Sequence, residues 1–318
     1  MIVFACDVGG THARLALVEL EGKPRVVARE VVRVVDWPGL LEPLRAFLAA
    51  HRAAPRLGCV ALAGTVRDPR RVQGLNLPWA VDAEELEAQC GFERVLLIND
   101  FEAAARGIDA LGPEDLLLLQ GQPNPERPRA VLGAGTGLGQ AFLLPSPAGT
   151  RVVPTEGGHR GFAPTTPLQD RLLAHQRAIH GRVSTERVLS GPGLAAIYDF
   201  LLSEGRPACP TIGDATDRPA AVAASGHATC QEALGVFLEI YGAEAGNVAL
   251  TVLADGGVFL AGGIAPKLLA DPARQELLRG WFVRQGRFRD YLEGIPLAVV
   301  TEPNLGLLGA ALAVHPRA

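Results

Sequence analysis

The chain has 318 residues, of which 48% are hydrophobic and 20% charged, a composition that supports a large buried core and argues against disorder. At about 150 residues per domain, this length predicts two domains. Thirty basic and thirty-four acidic residues leave a net charge of −4, and there is no basic run, which excludes the charge pattern of a nucleic-acid-binding protein. No uncharged apolar run reaches about 18 residues, so no membrane span is expected.

The cysteines and the N-terminal sequence indicate a reducing compartment. Five scattered cysteines form no complete disulfide framework, and no CxxC pair marks a structural zinc site. The first ten residues, MIVFACDVGG, lack the basic and apolar regions of a signal peptide. These features predict a cytoplasmic protein.

The first hundred residues predict the element order βββαβαβ. Three apolar or alternating runs are joined by short turns that contain glycine, which is typical of an antiparallel meander. The spacing of the apolar residues then alternates between helical and strand-like segments, which predicts a mixed sheet with helices. The predicted strands lie at 2–6, 13–18, 26–35, 59–64 and 94–100, and the predicted helices at 40–48 and 82–90.

A Pro-rich loop over 121–129 precedes a second half in which the N-terminal pattern of strand, Gly-rich turn and strand recurs. A strand at 130–135 enters a Gly-rich turn and a strand at 139–144 leaves it, as the first two strands do around VGGT. This echo predicts two similar subdomains that face each other. The later segments predict a long helix around 234–245, strands at 257–265 and 296–300, an apolar helix at 304–315, loops or short helices over 203–229, and a turn at 190–193.

The sequence Asp7-Val8-Gly9-Gly10-Thr11 follows the first strand and has the composition of a phosphate-binding turn. Glycines let backbone N–H groups approach phosphate oxygens, the carboxylate of Asp7 suits a Mg²⁺ shell, and the hydroxyl of Thr11 can donate to phosphate. The alternative is an ordinary type I′ or II′ hairpin turn.

A second Gly-rich turn spans Gly133–Gly139 and includes Gly135, Thr136 and Gly137. It lacks the Gly-Lys-Ser/Thr of a Walker A loop, and it leads into a strand rather than a helix, which argues against a Rossmann fingerprint. Together the two turns predict a pair of loops around a phosphate chain.

Polar side chains follow the strand that ends at Asn99 and Asp100. Such strand ends carry reactive groups in α/β sheets, and an Asp is suited to accept the proton of a substrate hydroxyl during phosphoryl transfer. The alternative is that Asp100 caps the following helix.

Three further side chains are candidates for binding a polar substrate. Glu156 and His159 are separated by two glycines and form a compact acceptor–donor pair that suits adjacent sugar hydroxyls, whereas Glu186 follows Ser184-Thr185. The alternatives are solvated loop residues and, for Glu186, a carboxylate that the helix dipole favours. Gly262 and Gly263 follow a buried strand, where they would admit a flat ligand such as a purine or simply form a turn.

Taken in order, the motifs DVGGT, LIND, GAGTGLG, EGGH, ERVLSGPG, GGVFLAGGI and PNLGLLGAA closely resemble those of bacterial glucokinases, in the hexokinase-like, actin-like ATPase superfamily. They cover residues 7 to about 311. The resemblance implies transfer of the γ-phosphoryl group of ATP to the 6-hydroxyl of glucose, with Mg²⁺. It implies Asp100 as catalytic base. It also implies glucose ligands at Asn99, Asp100, Glu156, His159 and Glu186, phosphate loops at Asp7–Thr11 and Gly133–Gly139, and an adenosine-side motif at Gly262-Gly263.

The resemblance also implies a two-domain actin-like ATPase (ribonuclease H-like) fold, each domain a mixed sheet with helices, with an active-site cleft between them. The expected small domain is 1–106, completed by the C-terminal helix at 301–318, and the large domain is 107–300. A homodimer is expected, with glucose and ATP as small-molecule substrates and with neither nucleic acid nor membrane as a partner. His12 stands where the family commonly has Asn. The Cys-rich zinc site beside the EGH motif of the related repressor–kinase family is missing, so zinc is not expected.

Two other functions remain open from the sequence. A kinase of the same fold would phosphorylate another hexose or an N-acylhexosamine. A sugar-sensing actin-like ATPase would keep the ATP loops without metabolic turnover.

Overall fold

The computed structural model describes residues 1–73 and 77–315. The elements before residue 116 are β1 (Ile2–Val8), β2 (His12–Glu19), β3 (Arg25–Arg33), α1 (Leu41–Ala50), β4 (Leu57–Leu62), β5 (Arg71–Gln73), β6 (Ala80–Asp82), α2 (Ala83–Cys90), β7 (Arg94–Asn99) and α3 (Asp100–Gly107).

The remaining elements begin with a strand that the sequence analysis did not predict, β8. They are β8 (Leu116–Gln120), β9 (Arg129–Ala134), β10 (Leu138–Ser146), β11 (Gly149–Thr155), α4 (Pro167–His180), α5 (Gly191–Ser203), α6 (Arg218–Ala224), α7 (Ala228–Val252), β12 (Gly257–Ala261), α8 (Ala265–Leu268), α9 (Pro272–Phe282), α10 (Arg289–Glu293), β13 (Leu297–Val300) and α11 (Leu305–Ala313). Over the described ranges, no helix has both the length and the apolar character needed to cross a bilayer.

The chain forms two compact units. The first comprises Met1–Asp115, Leu143–Pro154 and Glu302–Ala318, and the second comprises Leu116–Phe142 and Thr155–Thr301. The boundary expected from the sequence lies after residue 106. The first unit continues to Asp115 because Lys23, in the turn between β2 and β3, pairs with Glu114 and lies 2.8 Å from Oδ2 of Asp115.

The first unit contains a five-stranded sheet in the order β3-β2-β1-β4-β7. β1 pairs antiparallel with β2, and β2 with β3, which confirms the predicted meander. β1, β4 and β7 are parallel to one another, and helices connect the parallel strands.

A six-stranded sheet repeats this strand order. It runs β11-β10-β9-β12-β13-β8, with β9, β12 and β13 parallel and β8 antiparallel at the edge. In both sheets, three strands that are consecutive in the chain thus lie beside two strands that are parallel to the nearest of the three. The predicted recurrence of the strand–turn–strand pattern in the second half of the chain is confirmed, and it is part of a duplicated strand order.

Both faces of the first sheet are covered, which explains the continuous apolar sequence of β1. Side chains alternate along a strand. Phe4 and Cys6 therefore lie in one core with α1 and α2, while Val3 and Ala5 lie in another with α3 and α11. β3 is the edge strand, and Val31 on it is half exposed.

Helices α3 and α11 pack closely at two glycines. A Cβ atom at Gly309 would collide with the carbonyl oxygen of Ala103, and one at Gly107 would collide with the carbonyl oxygen of Leu305. Each glycine thus lets one backbone approach the other. This packing sets the position of α3, which begins at Asp100.

One local prediction is wrong. Residues 190–193 were expected to form a turn, but they begin α5, because the hydroxyl of Ser190 accepts a hydrogen bond from the N–H of Gly193 and caps the helix. Pro192 in the first helical turn needs no N–H partner there.

Candidate active site

Asn99 and Asp100 lie at the junction of β7 and α3. The side-chain oxygen of Asn99 accepts from the N–H groups of Phe101, at 2.8 Å, and Glu102, at 3.0 Å, and its Nδ2 donates to the carbonyl of Gly64 at 2.9 Å. Asn99 is therefore the N-cap, in place of Asp100, although Oδ1 of Asp100 also accepts from the N–H of Phe101 at 2.9 Å. Asp100 occupies the first helical position, where the helix dipole favours its negative charge.

The first glycine turn joins β1 to β2 through Gly9, Gly10 and Thr11. The N–H of Gly9 donates to the carbonyl of His12 at 3.0 Å. A Cβ atom on Gly9 would make only an ordinary contact with that oxygen. Gly10 and Thr11 are exposed, as a phosphate-binding turn requires.

Asp7 has a cationic partner that the sequence analysis did not identify. Its Oδ2 accepts from Nη1 of Arg14 at 2.8 Å, because the antiparallel register places these two residues opposite each other. The available signal was a turn of four residues, 9–12, between paired positions, since this length pairs Val8 with Ala13 and Asp7 with Arg14. One carboxylate oxygen of Asp7 thus forms an ion pair with Arg14. Carboxylate oxygens are also the ligands that Mg²⁺ prefers.

The neighbouring thiol takes no part in such chemistry. Cys6 is fully buried, and burial, with a smaller contribution from the charge of Asp7, raises the pKa of its thiol well above the ordinary range. It remains neutral and is not a nucleophile at neutral pH.

The second glycine turn is closed by backbone bonds and by Glu186. The N–H of Gly135 donates to the carbonyl of Gly137 at 2.8 Å, and Oε2 of Glu186 accepts from the N–H of Leu138 at 2.9 Å. A Cβ atom at Gly137 would lie 2.6 Å from that Glu186 oxygen, so a side chain at this position would displace the carboxylate. Gly135 has no such neighbour, and Thr136 is exposed.

The structure brings Glu156, His159 and Glu186 together. Nε2 of His159 lies 3.8 Å from Oε2 of Glu156, and its Nδ1 lies 3.7 Å from Oε1 of Glu186. These separations exceed hydrogen-bond length, so the three groups do not saturate one another. Each side chain is about a third to a half exposed. The cluster presents two acceptors and an imidazole to solvent, which suits vicinal hydroxyl groups.

The glycines between Glu156 and His159 hold this turn against β10. A Cβ atom at Gly158 would overlap the carbonyl oxygen of Leu138, and one at Gly157 would overlap the side chain of Gln140. The two glycines therefore set the direction in which the acidic and imidazole side chains project.

A buried carboxylate beneath this turn was missed by sequence reasoning. Glu244 on α7 accepts at Oε1 from Nη2 of Arg160, at 2.5 Å, and from Nε2 of Gln140, at 2.7 Å. Nε of Arg160 also donates to the carbonyl of Gly157 at 3.2 Å. The signal was a single carboxylate within the apolar stretch 240–252 of α7, since such a group needs a partner when buried.

Gly262 and Gly263 follow β12. Gly262 has a φ of +83°, and a Cβ atom there would lie 2.6 Å from the carbonyl oxygen of Ala134, so only glycine fits. A Cβ atom on Gly263 would meet no other atom within contact distance, so there is open space beside this glycine.

The predicted site residues divide between the two units. The first unit holds Asp7, Gly9, Gly10, Thr11, Asn99 and Asp100. The second unit holds Gly135, Thr136, Gly137, Glu156, His159, Glu186, Gly262 and Gly263.

The duplicated strand order, with one glycine turn between β1 and β2 and another between β9 and β10, defines a protein of the actin-like ATPase fold. A crystal structure of a ROK family glucokinase from Streptomyces griseus, in complex with glucose and AMPPNP, has this fold at a TM-score of 0.70 and 20% identity, covering 98% of this chain and 99% of that one. A glucokinase structure from an Antarctic psychrotroph aligns with a TM-score of 0.85 and 30% identity over 99% and 98% of the two chains.

The family follows from the sequence comparisons. The glucokinase family model matches residues 4–317. The glucokinase of Nostoc punctiforme is 38% identical over 98% of both chains. The chain belongs to the glucokinase family.

Proposed function

We propose that this protein transfers the γ-phosphoryl group of ATP to the 6-hydroxyl of glucose. The observation that carries the proposal is the cluster of Glu156, His159 and Glu186, which offers acceptors and an imidazole at a spacing that suits a sugar's neighbouring hydroxyls. Family membership and the glucose and AMPPNP of the Streptomyces griseus structure support the same choice of substrates.

In the proposed reaction, Asp100 orients the 6-hydroxyl and accepts its proton. The bond from the sugar oxygen to the γ-phosphorus forms as the bond from that phosphorus to the bridging oxygen breaks, and ADP leaves. Asn99 supports this step because it caps α3 and leaves Asp100 at the first helical position. A general base of this kind contributes about 10²–10⁴-fold to the rate.

The remaining site residues bind the two substrates. Glu156, His159, Glu186 and Asn99 bind sugar hydroxyls, and a sugar that leaves one of these groups unpaired loses about 1–3 kcal/mol. Gly9, Gly10, Thr11, Gly135, Thr136 and Gly137 bind the phosphates of ATP, and Gly262 and Gly263 lie against its adenosine.

Asp7 fits the part of a Mg²⁺ ligand, since it is a partly exposed carboxylate beside a glycine turn. When bound, Mg²⁺ neutralises charge on the phosphate oxygens. Arg14, paired with Asp7, holds the carboxylate in place.

We also infer a homodimer in the cytoplasm that acts in glycolysis. The support is the family resemblance and, for the compartment, five cysteines that form no disulfide among the described residues.

The test is ADP release in a coupled assay with ATP, Mg²⁺ and a panel of glucose, mannose, fructose and N-acetylmannosamine. We expect the highest kcat/KM with glucose and a fall of about 10²–10⁴-fold in kcat for Asp100→Asn. Asp109→Asn, an exposed carboxylate just after α3, is the matched control and keeps full activity.

Three results would contradict the proposal. They are ADP release that is indifferent to every sugar, a higher kcat/KM for another sugar, and an Asp100→Asn variant as active as its control.

A further inference from the structure

Three side chains with metal-binding chemistry, none of them among the residues assigned to substrates, converge in the second unit. They are Cys209, His227 and Cys230, whose ligand atoms all lie within 4.8 Å of one another. Cys209 follows α5 by a few residues, His227 is the N-cap of α7, and Cys230 lies in the first turn of that helix. Both thiols are buried, and the imidazole is partly exposed.

The spacing is close to that of a tetrahedral zinc site. Zinc bonds of about 2.0–2.3 Å place neighbouring ligand atoms about 3.5–3.8 Å apart, so a movement of about 1 Å brings the three atoms to ligand distance. Two thiolates and an imidazole are soft and borderline ligands, which select zinc over magnesium or calcium.

The backbone around the cluster is anchored. The N–H of Cys209 donates to the hydroxyl of buried Tyr198 at 2.8 Å, and the hydroxyl of Thr229 donates to the carbonyl of Pro207 at 2.7 Å. Sγ of Cys209 also lies 3.3 Å from the hydroxyl of Thr211 and 3.5 Å from that of Ser225. Such outer contacts orient metal ligands in known sites.

Among the residues that the structure describes, the imidazole of His227 has one long hydrogen bond. Its Nδ1 accepts from the N–H of Thr229 at 3.3 Å. A metal on either ring nitrogen would replace that bond, because the nitrogen that does not bind the metal carries a proton in the neutral ring.

The segment that a metal would fasten has little core of its own. Residues 204–227 connect α5 to α7 and contain a single short helix, α6. We propose that Cys209, His227 and Cys230 bind one zinc ion, with water as the fourth ligand, and that this ion holds the connection against the first turn of α7. Zinc replaces the thiol protons, which pass to solvent, and no oxidation occurs.

The test is zinc retention by the full-length protein. Protein purified with a reductant is incubated with excess Zn²⁺, passed through gel filtration and analysed for metal content. We expect one zinc per chain, and a loss of about tenfold or more in retained zinc for Cys209→Ser and for His227→Asn. Asn is a good N-cap, so His227→Asn removes the imidazole while keeping the start of α7.

Cys90→Ser is the matched control, because Cys90 is a partly exposed thiol outside the cluster, and it retains zinc fully. Zinc also raises the melting temperature of the wild type by about 5 °C, whereas it leaves the melting temperatures of both cluster variants unchanged. Circular dichroism verifies that the variants are folded.

Two outcomes overturn the proposal: a wild type that retains less than about a tenth of an equivalent of zinc, or a Cys209–Cys230 disulfide that persists in protein kept with reductant. Zinc retention is measured without glucose or ATP, so failure of the kinase proposal would leave this result unaffected.

Discussion

Glu244 connects the long buried helix of the second unit to the turn that carries Glu156 and His159. Its carboxylate is 7% exposed and accepts from both Arg160 and Gln140. Arg160 in turn donates to the carbonyl of Gly157 within that turn. Glu244 contacts no proposed sugar ligand directly, so it acts as a positioning residue.

Replacing Glu244 by Gln tests this positioning. The change keeps the shape of the side chain but exchanges a charge-assisted hydrogen bond for a neutral one, at a cost of about 1 kcal/mol. We expect KM for glucose to rise about fivefold, while kcat and KM for ATP stay unchanged.

Glu232→Gln is the matched control. Glu232 lies on the same helix and pairs with Arg206 at the surface, where such a pair contributes little. A Glu244→Gln enzyme with the wild-type KM for glucose, or with a lower kcat alone, would contradict the positioning role.

Asn99 shows why residue roles were only partly predictable. The sequence indicated a cap at the start of α3, and the cap is there, but it is supplied by Asn99 rather than by Asp100. Two adjacent residues with cap-forming side chains are equivalent in sequence. The backbone angles at the end of β7 decided between them, and those depend on the sheet.

At the scale of elements, the packing of α11 on α3 determines where Asp100 lies. Gly309 and Gly107 permit the close approach of the two helices. We expect Gly309→Ala to lower the free energy of unfolding by about 1–3 kcal/mol, because the added methyl group has to displace the backbone of α3 at Ala103. Urea denaturation provides the measurement.

In the control for this change, the free energy of unfolding is expected to change in the opposite direction. Gly280 on α9 is exposed and has open space at its Cβ position, so Gly280→Ala stabilises the protein by up to about 1 kcal/mol through helix propensity. Equal stability of the two variants would show that helix propensity, and not the α3–α11 packing, governs Gly309.

The strand and helix periods predicted most elements of the fold. The continuous apolar sequence of β1 and the 3.6-residue pattern of α1 are local signals, and both elements lie where expected. The short β5–β6 pair and β8 were missed, since strands of three to five residues have too few alternations to stand out.

At the scale of the whole molecule, the two sheets share one strand order, and each unit has its own core. We expect sedimentation equilibrium to give the mass of two chains of 33.5 kDa, as the family resemblance implies for a homodimer. A mass of one chain at micromolar concentration would contradict this.

The sequence by itself determined the fold class, the two glycine turns, and the order of motifs that identifies the family. These properties are local, because they depend on side-chain period and on glycine within a few neighbouring residues. Only the tertiary structure decided the partners of Asp7 and Glu244 and the meeting of Cys209 with Cys230, twenty-one residues later in the chain. Such contacts join residues from different elements, and their distances depend on strand register and helix packing, which no short stretch of sequence specifies.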